Sequence, residues 1–492
     1  MNRPRSIVFM SAAVAALALQ SCRDQAVPSD LGGRAIFAAS VAPFIGADRH
    51  IVLFTAERVP ADFAARVERL GGNVEASLDS IGISIVVGVS DVAAAALASD
   101  GDVQAVEPDG VMLVEGDIAD DLDVFTQSDG ASAALHATVE DDASAASPSS
   151  PALAPFYARQ WNMRAIHADE AWAAGYRGSR TVRVGIMGGV DYLHPDLEGL
   201  VDLDASVSFV PGDNAALAAR GRLPFGDLFW HGTAEASIIA TNAKVVAGIN
   251  REVTFIAIKI EDSTGAVPAG AFLTGIAYAA DVGVDIMVMP GTKFDKSQNP
   301  GRVAMFERAF AYAFRHGVLL VGGAGDDGLD TDHDGDLVRL CQLNNGICAS
   351  ATGPTSAAGV NGPWENVDAM APYAGYGRSI VDVASPGGTR NDFTRVWLPC
   401  TSTPSGGTRT PSGCRNKSVP LLNRVQEGVG ISWSAPHVAG LAALLKAAHP
   451  MWGPAQLRAA ILQSADDLGA PGHDPYYGQG RINVARALGL RD

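Results

Sequence analysis

The distribution of apolar positions divides the chain into segments of different kinds. HIVLFTAE at 50–57 contains an unbroken apolar run and reads as a strand. ADFAARVERLGG at 61–72 spaces Phe63, Val67 and Leu70 along one helix face and ends on a Gly stop. ISIVVGVS at 83–90 is a second strand, DVAAAALASD at 91–100 a second helix, and VQAVEPDGVML at 103–113 a last strand with a turn. Together they predict a small α+β unit of βαββαβ type over 50–115. Residues 22–49 are polar and poorly patterned, and 116–155 shift to Asp, Ala, Ser and Pro. Both read as linkers, the second disordered, because such stretches lack the apolar surface to order themselves.

From Trp161 onward short β-branched runs alternate with helical stretches: VRVGIM at 182–187, VTFIAIKI at 253–260, VDIMVM at 284–289 and HGVLLVGGA at 316–324. This alternation predicts an α/β fold with a mostly parallel sheet covered on both faces. Its functional residues are expected beyond the C-terminal ends of the strands.

The first residues follow another logic. Arg3 and Arg5 precede the apolar run 7–19, which is too short to span a bilayer and has the layout of a signal peptide over 1–21. LQSC at 19–22 resembles the bacterial lipobox, which implies lipidation of Cys22, export and a lipid anchor on an envelope membrane or the cell surface. Composition agrees with a large folded chain: 492 residues, 47% hydrophobic and 18% charged. A net charge of −18 repels phosphate backbones, so nucleic acid is not an expected partner. Beyond Cys22, four cysteines remain, Cys341, Cys348, Cys400 and Cys414. They allow three disulfide connectivities, of which pairing by neighbours is the expected one, and neither spacing suits a thiolate zinc site.

Six segments carry a family resemblance. HGTAEASIIA at 231–240 and GISWSAPHVAGLAALL at 430–445 resemble the His and Ser blocks of the subtilisin-like serine peptidases, and VGIMGGVDYLHPDL at 184–197 is similar to their Asp block. RQWNMRAIHADEAW at 159–172, VDVASPGG at 381–388 and YGQGRINVARAL at 477–488 fit the same family. The resemblance implies a three-layer sandwich over 156–490, a polypeptide substrate, Ser432 as nucleophile and His231 as base. It also implies that 50–115 is a propeptide, an inhibitor and folding helper for its own chain.

Two positions depart from that pattern. The orienting Asp falls on Met187, which cannot accept a proton from an imidazole, and the oxyanion Asn falls on Asp326, whose ionised form repels the oxyanion. Losing such an acid costs about 3 × 10⁴ in turnover, and losing one oxyanion donor about 10²–10³. Glu235 offers a replacement, since residues four apart share a helix face. His231, Glu235, Asp326 and Ser432 then resemble the layout of the sedolisins, with His in the place of the first acid. That layout works only with Asp326 protonated and His231 neutral. In the substrate-pairing segment Met289, Pro290 and Gly291 replace the family's Ser-Leu-Gly, and Pro290 removes a backbone donor.

LDTDHDGDL at 329–337 sets Asp330, Asp332 and Asp334 at spacings of an EF-hand-like calcium loop, but its twelfth position is Cys341 instead of Glu. A solvated acidic turn is the simpler reading, and no cofactor is required. Two functions stay open: a serine endopeptidase with a rearranged site, and an inactive relative that holds a peptide or partner protein in the same cleft.

Overall fold

The computed structural model describes residues 48–113, 147–289, 293–295, 300–333, 337–405 and 410–492. In the N-terminal part, β1 (Arg49–Phe54), α1 (Phe63–Arg69), β2 (Asn73–Leu78), β3 (Ile83–Val87), α2 (Asp91–Leu97) and β4 (Val103–Pro108) form an antiparallel sheet in the order β2-β3-β1-β4. The unbroken apolar run of β1 has a structural cause: both faces of its sheet are buried. Val52 and Phe54 pack with Phe63, Val67 and Leu97 under the two helices. Ile51 and Leu53, pointing the other way, join Ile81 and Ile83 in the large core of the rest of the chain. Edge strand β2 alternates exposed and half-buried positions, so its apolar signal in the sequence is weak. A short β5 (Val111–Leu113) continues from the sheet.

The main sheet contains β6 (Gly178–Ile186), β7 (Val207–Ser208), β8 (Glu252–Lys259), β10 (Ile286–Val288), β12 (Leu319–Gly323) and β14 (Ile347–Gly353). Between them lie β9 (Ala266–Pro268) and a small ribbon of β11 (Lys293–Asp295) and β13 (Leu337–Arg339). The spatial order is β7-β8-β6-β10-β12-β14, all parallel, with Val383–Pro386 parallel and Ala369–Met370 antiparallel to β14. The helices are α3 (His231–Ile239), α4 (Ala269–Asp281), α5 (Pro300–Arg315) and α6 (Ile431–Ala448). Along the chain α3 lies between β7 and β8, and α4 between β8 and β10. α6 packs with α3, and α5 with α4. The result is the expected three-layer α/β sandwich. Strand order reverses at β6, which places a crevice at its C-terminal end between β8 and β10.

The N-terminal sheet rests on α4 and α5. Arg308 Nη1 donates to the Phe54 carbonyl at 2.6 Å, and Arg302 Nη2 to the Pro108 carbonyl at 2.9 Å. At the start of α4, the Gly270 N–H donates to Asp109 Oδ1 at 2.8 Å. β5 pairs antiparallel with β9, Met112 opposite Val267 and Leu113 opposite Ala266.

The linker expected over 116–155 is corrected at its C-terminal end; 114–146 lie outside the described residues. Pro151–Leu153 forms a 3₁₀ turn, Arg251 donates to the Pro148 carbonyl, and Phe156 packs with Val245, Val246 and Leu422. Buried Pro151 and Ala154 supply apolar surface that the Ser-rich composition hides. The four cysteines pair by neighbours, Cys341–Cys348 and Cys400–Cys414. Among the described residues no helix is long and apolar enough to cross a membrane. Cys22 and the signal segment lie outside them.

Candidate active site

His231 is the first residue of α3, and a strained turn sets it there. Trp230 has φ 96°, a left-handed conformation that costs a bulky residue about 1–3 kcal/mol. Asp227 holds the turn: it accepts the Trp230 N–H at 2.5 Å, the Thr233 N–H at 3.1 Å and the Thr233 hydroxyl. Thr233 Oγ1 in turn accepts the Asp191 N–H at 2.9 Å, which ties the loop after β6 to the first turn of α3. The His231 ring stacks along Phe229 and lies 5.1 Å from the Trp433 ring, centroid to centroid. This aromatic wall brings the starts of α3 and α6 together. Ser432 is the second residue of α6, and both it and His231 are only 4% exposed.

One turn further along α3, Glu235 Oε1 lies 3.6 Å from His231 Nδ1. The separation is longer than a hydrogen bond, but the pair shares a buried face where charge interactions are strong. Burial, then the neighbouring Glu261 and Asp227 carboxylates, push the Glu235 carboxyl well above its usual range. Asp326 stands just beyond β12, and its Oδ1 accepts the Ile431 N–H at 2.8 Å. It therefore meets the N-terminus of α6 beside Ser432, as an acceptor at that oxygen. Burial and the charge of Asp326 push the phenol of Tyr373 upward; its hydroxyl also accepts the Gly430 N–H.

The other residues singled out in the sequence lie apart from this group. Met187 is 3% exposed and directs its Cε toward Gly275 of α4, among Ile258 and Ile260. Met289 is buried after β10, with its N–H donating to Val321; Pro290 and Gly291 lie outside the described residues. Asp332 accepts the backbone N–H groups of Arg378 and Ser379 at 2.6 and 3.0 Å, and Asp330 contacts His333 Nδ1 at 2.7 Å. Each Asp332 oxygen thus holds one backbone amide; Asp334 lies outside the described residues. Among the described residues no group of three His, Cys, Asp or Glu side chains is arranged to hold a metal.

Two buried acids were not singled out by sequence reasoning. Asp227 is pushed up to about 6 and Glu261 to about 7, burial being the first cause in each. Glu261 follows β8, whose apolar run gives way at its C-terminal end to the charged residues Lys259, Glu261 and Asp262. Charge at the C-terminal end of a central strand was the signal available.

The subtilase family model matches residues 179–480. Subtilisin E of Bacillus subtilis (strain 168) is 29% identical over 324 residues, which cover 65% of this chain and 69% of that one. Thermitase of Thermoactinomyces vulgaris is 27% identical over 338 residues, covering 68% and 97%. Among solved structures, the epidermin leader peptide processing serine protease of Staphylococcus aureus superposes with a TM-score of 0.65 at 16% identity, over 90% of this chain and 98% of that one. Fervidolysin from Fervidobacterium pennivorans, a keratinolytic enzyme related to subtilisin, gives 0.62 at 19% identity, over 90% and 61%. With its strand order, its paired helix starts and a family match over most of its length, the chain belongs to the subtilase family of serine peptidases.

Proposed function

We propose that the protein is an exported serine endopeptidase that cuts extended polypeptide through Ser432, with His231 as base and Glu235 in place of the family's orienting acid. The observation that carries this reading is the His231–Glu235 pair at 3.6 Å, walled by the same Trp433 that adjoins Ser432. The Ser432 hydroxyl attacks the scissile carbonyl and its proton passes to His231. The amine then leaves with that proton, and water hydrolyses the acyl-serine by the same route. Glu235, when ionised, stabilises the transient imidazolium. Asp326 donates to the oxyanion only when protonated, through the oxygen that does not accept the Ile431 N–H.

The N-terminal unit acts in this reading as a propeptide. Support comes from β5, which adds a strand to β9 in the manner of an extended peptide, and from the Asp109 carboxylate on the first turn of α4. Lipidation at Cys22 would hold the chain on an envelope membrane. A second reading, an inactive peptide-binding relative, is favoured by one observation: Asp326 meets Ser432's helix as an acceptor.

A fluorophosphonate probe separates the two. Wild-type protein is expected to label, and Ser432→Ala to lose labelling and accumulate uncut. An unlabelled, folded wild type at every pH between 4 and 9 would establish the inactive reading.

A further inference from the structure

Glu261 lies at the C-terminal end of β8 and is 2% exposed. Its Oε1 accepts the Gly189 N–H at 2.7 Å, immediately after β6. Its Oε2 is buried with no hydrogen-bond donor among the described residues. The carboxyl sits in a gap kept open by glycines. A Cβ at Gly188 would lie 3.1 Å from Oε1, 3.3 Å from Oε2 and 3.2 Å from the Cα of Gly232 on α3. Gly232 and Glu235 are three residues apart and so share a helix face. The acid from β8 thus abuts the side of α3 that carries Glu235, with no intervening side chain at 188 or 232.

Resting on the peptidase reading above, we propose that Glu261 is a positioning residue: it shares one proton with Glu235 and so sets the pH range over which Glu235 can hold His231. Two buried carboxyls whose charges act on each other cannot both ionise cheaply, so one proton stays with the pair until the pH is high enough to remove it. The charged groups around the pair are few and identifiable. Lys259, the last residue of β8 and two positions before Glu261, favours ionisation but is itself 3.1 Å from Asp213. Asp227, from the turn before α3, opposes it for both acids, and His231 faces Glu235. Ordinary carboxyl burial would leave Glu261 neutral and inert. The missing donor at Oε2 and the shared face with Glu235 give it a role in the titration of the site.

The test is the pH profile of Ser432 labelling by a fluorophosphonate on the full chain, for wild type, Glu261→Gln and Glu261→Asp. Gln retains the acceptor for Gly189 and removes the second ionisation. Its acidic limb is expected at least one pH unit below the wild type's, which is about tenfold more labelling on that limb relative to the plateau. Glu261→Asp keeps the limb near the wild-type position. A limb unmoved by Gln, in a variant with a cooperative thermal transition, overturns the proposal. Should Gln prevent folding, carboxyl ¹³C NMR titration of Ser432→Ala decides: two linked steps for Glu235 and Glu261 support proton sharing, two independent ones refute it. A wild type that never labels defeats the peptidase reading instead, and the same NMR titration still judges the pair.

Discussion

The two halves of the active site differ in how they are built. The half contributed by helix starts, His231 on α3 and Ser432 on α6, is set by a capped, strained turn and a wall of aromatic rings. The half contributed by strand ends has a methionine turned into the apolar layer after β6 and an aspartate bonded to the backbone of α6 after β12. Ser432 and His231 lie where helix starts put them, whereas an acid at a strand end is a single side chain that a neighbouring strand can supply instead. The acids near His231 now come from α3 itself and from β8.

The largest expected effect is on the helix half. Glu235→Ala should lower kcat about 10³–10⁴-fold while KM changes little, because the side chain acts on the base and not on the peptide. Steady-state kinetics on a peptide substrate would show it, and an unchanged kcat would return the orienting role to another group. On the strand half, Met187→Asp should cost stability and not raise activity. Its carboxyl would enter the layer of Ile258, Ile260 and Gly275 without a partner, at about 3–5 kcal/mol. Urea unfolding together with activity measures both; a gain in activity would mean that the site still accepts the family's acid at this position.

The smallest effect concerns pH. Burial pushes the Glu261 carboxyl from 4.5 up to about 7, so between those values the folded state binds more protons than the unfolded chain. Its contribution is fully present below about pH 4.5 and is lost as pH rises toward 7, about 3 kcal/mol in all. Asp227, pushed up to about 6, acts in the same direction. Denaturation midpoints of Ser432→Ala, with and without Glu261→Gln, should converge at low pH and separate by that amount above 7 in favour of Gln. A separation that does not depend on pH would place the effect in packing instead.

How much of this could be read in advance depends on how local each signal is. The Ser and His blocks fix short stretches on helix starts, and α3 and α6 begin at the residues those motifs contain. Four strands of the main sheet, β6, β8, β10 and β12, carry apolar runs and are equally plain, whereas the two-residue β7 and β14, ICASATG, carry none. Glu261 was not, since only the pairing of β8 with β6 brings it to Gly189, far away in the chain. β2 escaped notice because an edge strand needs few apolar residues. Pro148 and Pro151 sit in a sequence that lacks order of its own and gains it by docking against Arg251, Val245 and Leu422.

The two-sided burial of the N-terminal sheet bears on what separation of that unit would entail. Ile51, Leu53, Ile81 and Ile83 are fully buried in the core that the unit shares with the rest of the chain. Wetting four such side chains costs roughly 2 kcal/mol each, a sum comparable to the entire stability of a domain this small. Once cut from the rest, the unit would therefore loosen in water, and a loosened chain is easily digested. Dissociation would act as a ratchet: the longer the fragment spends off its helices, the less of it survives to return.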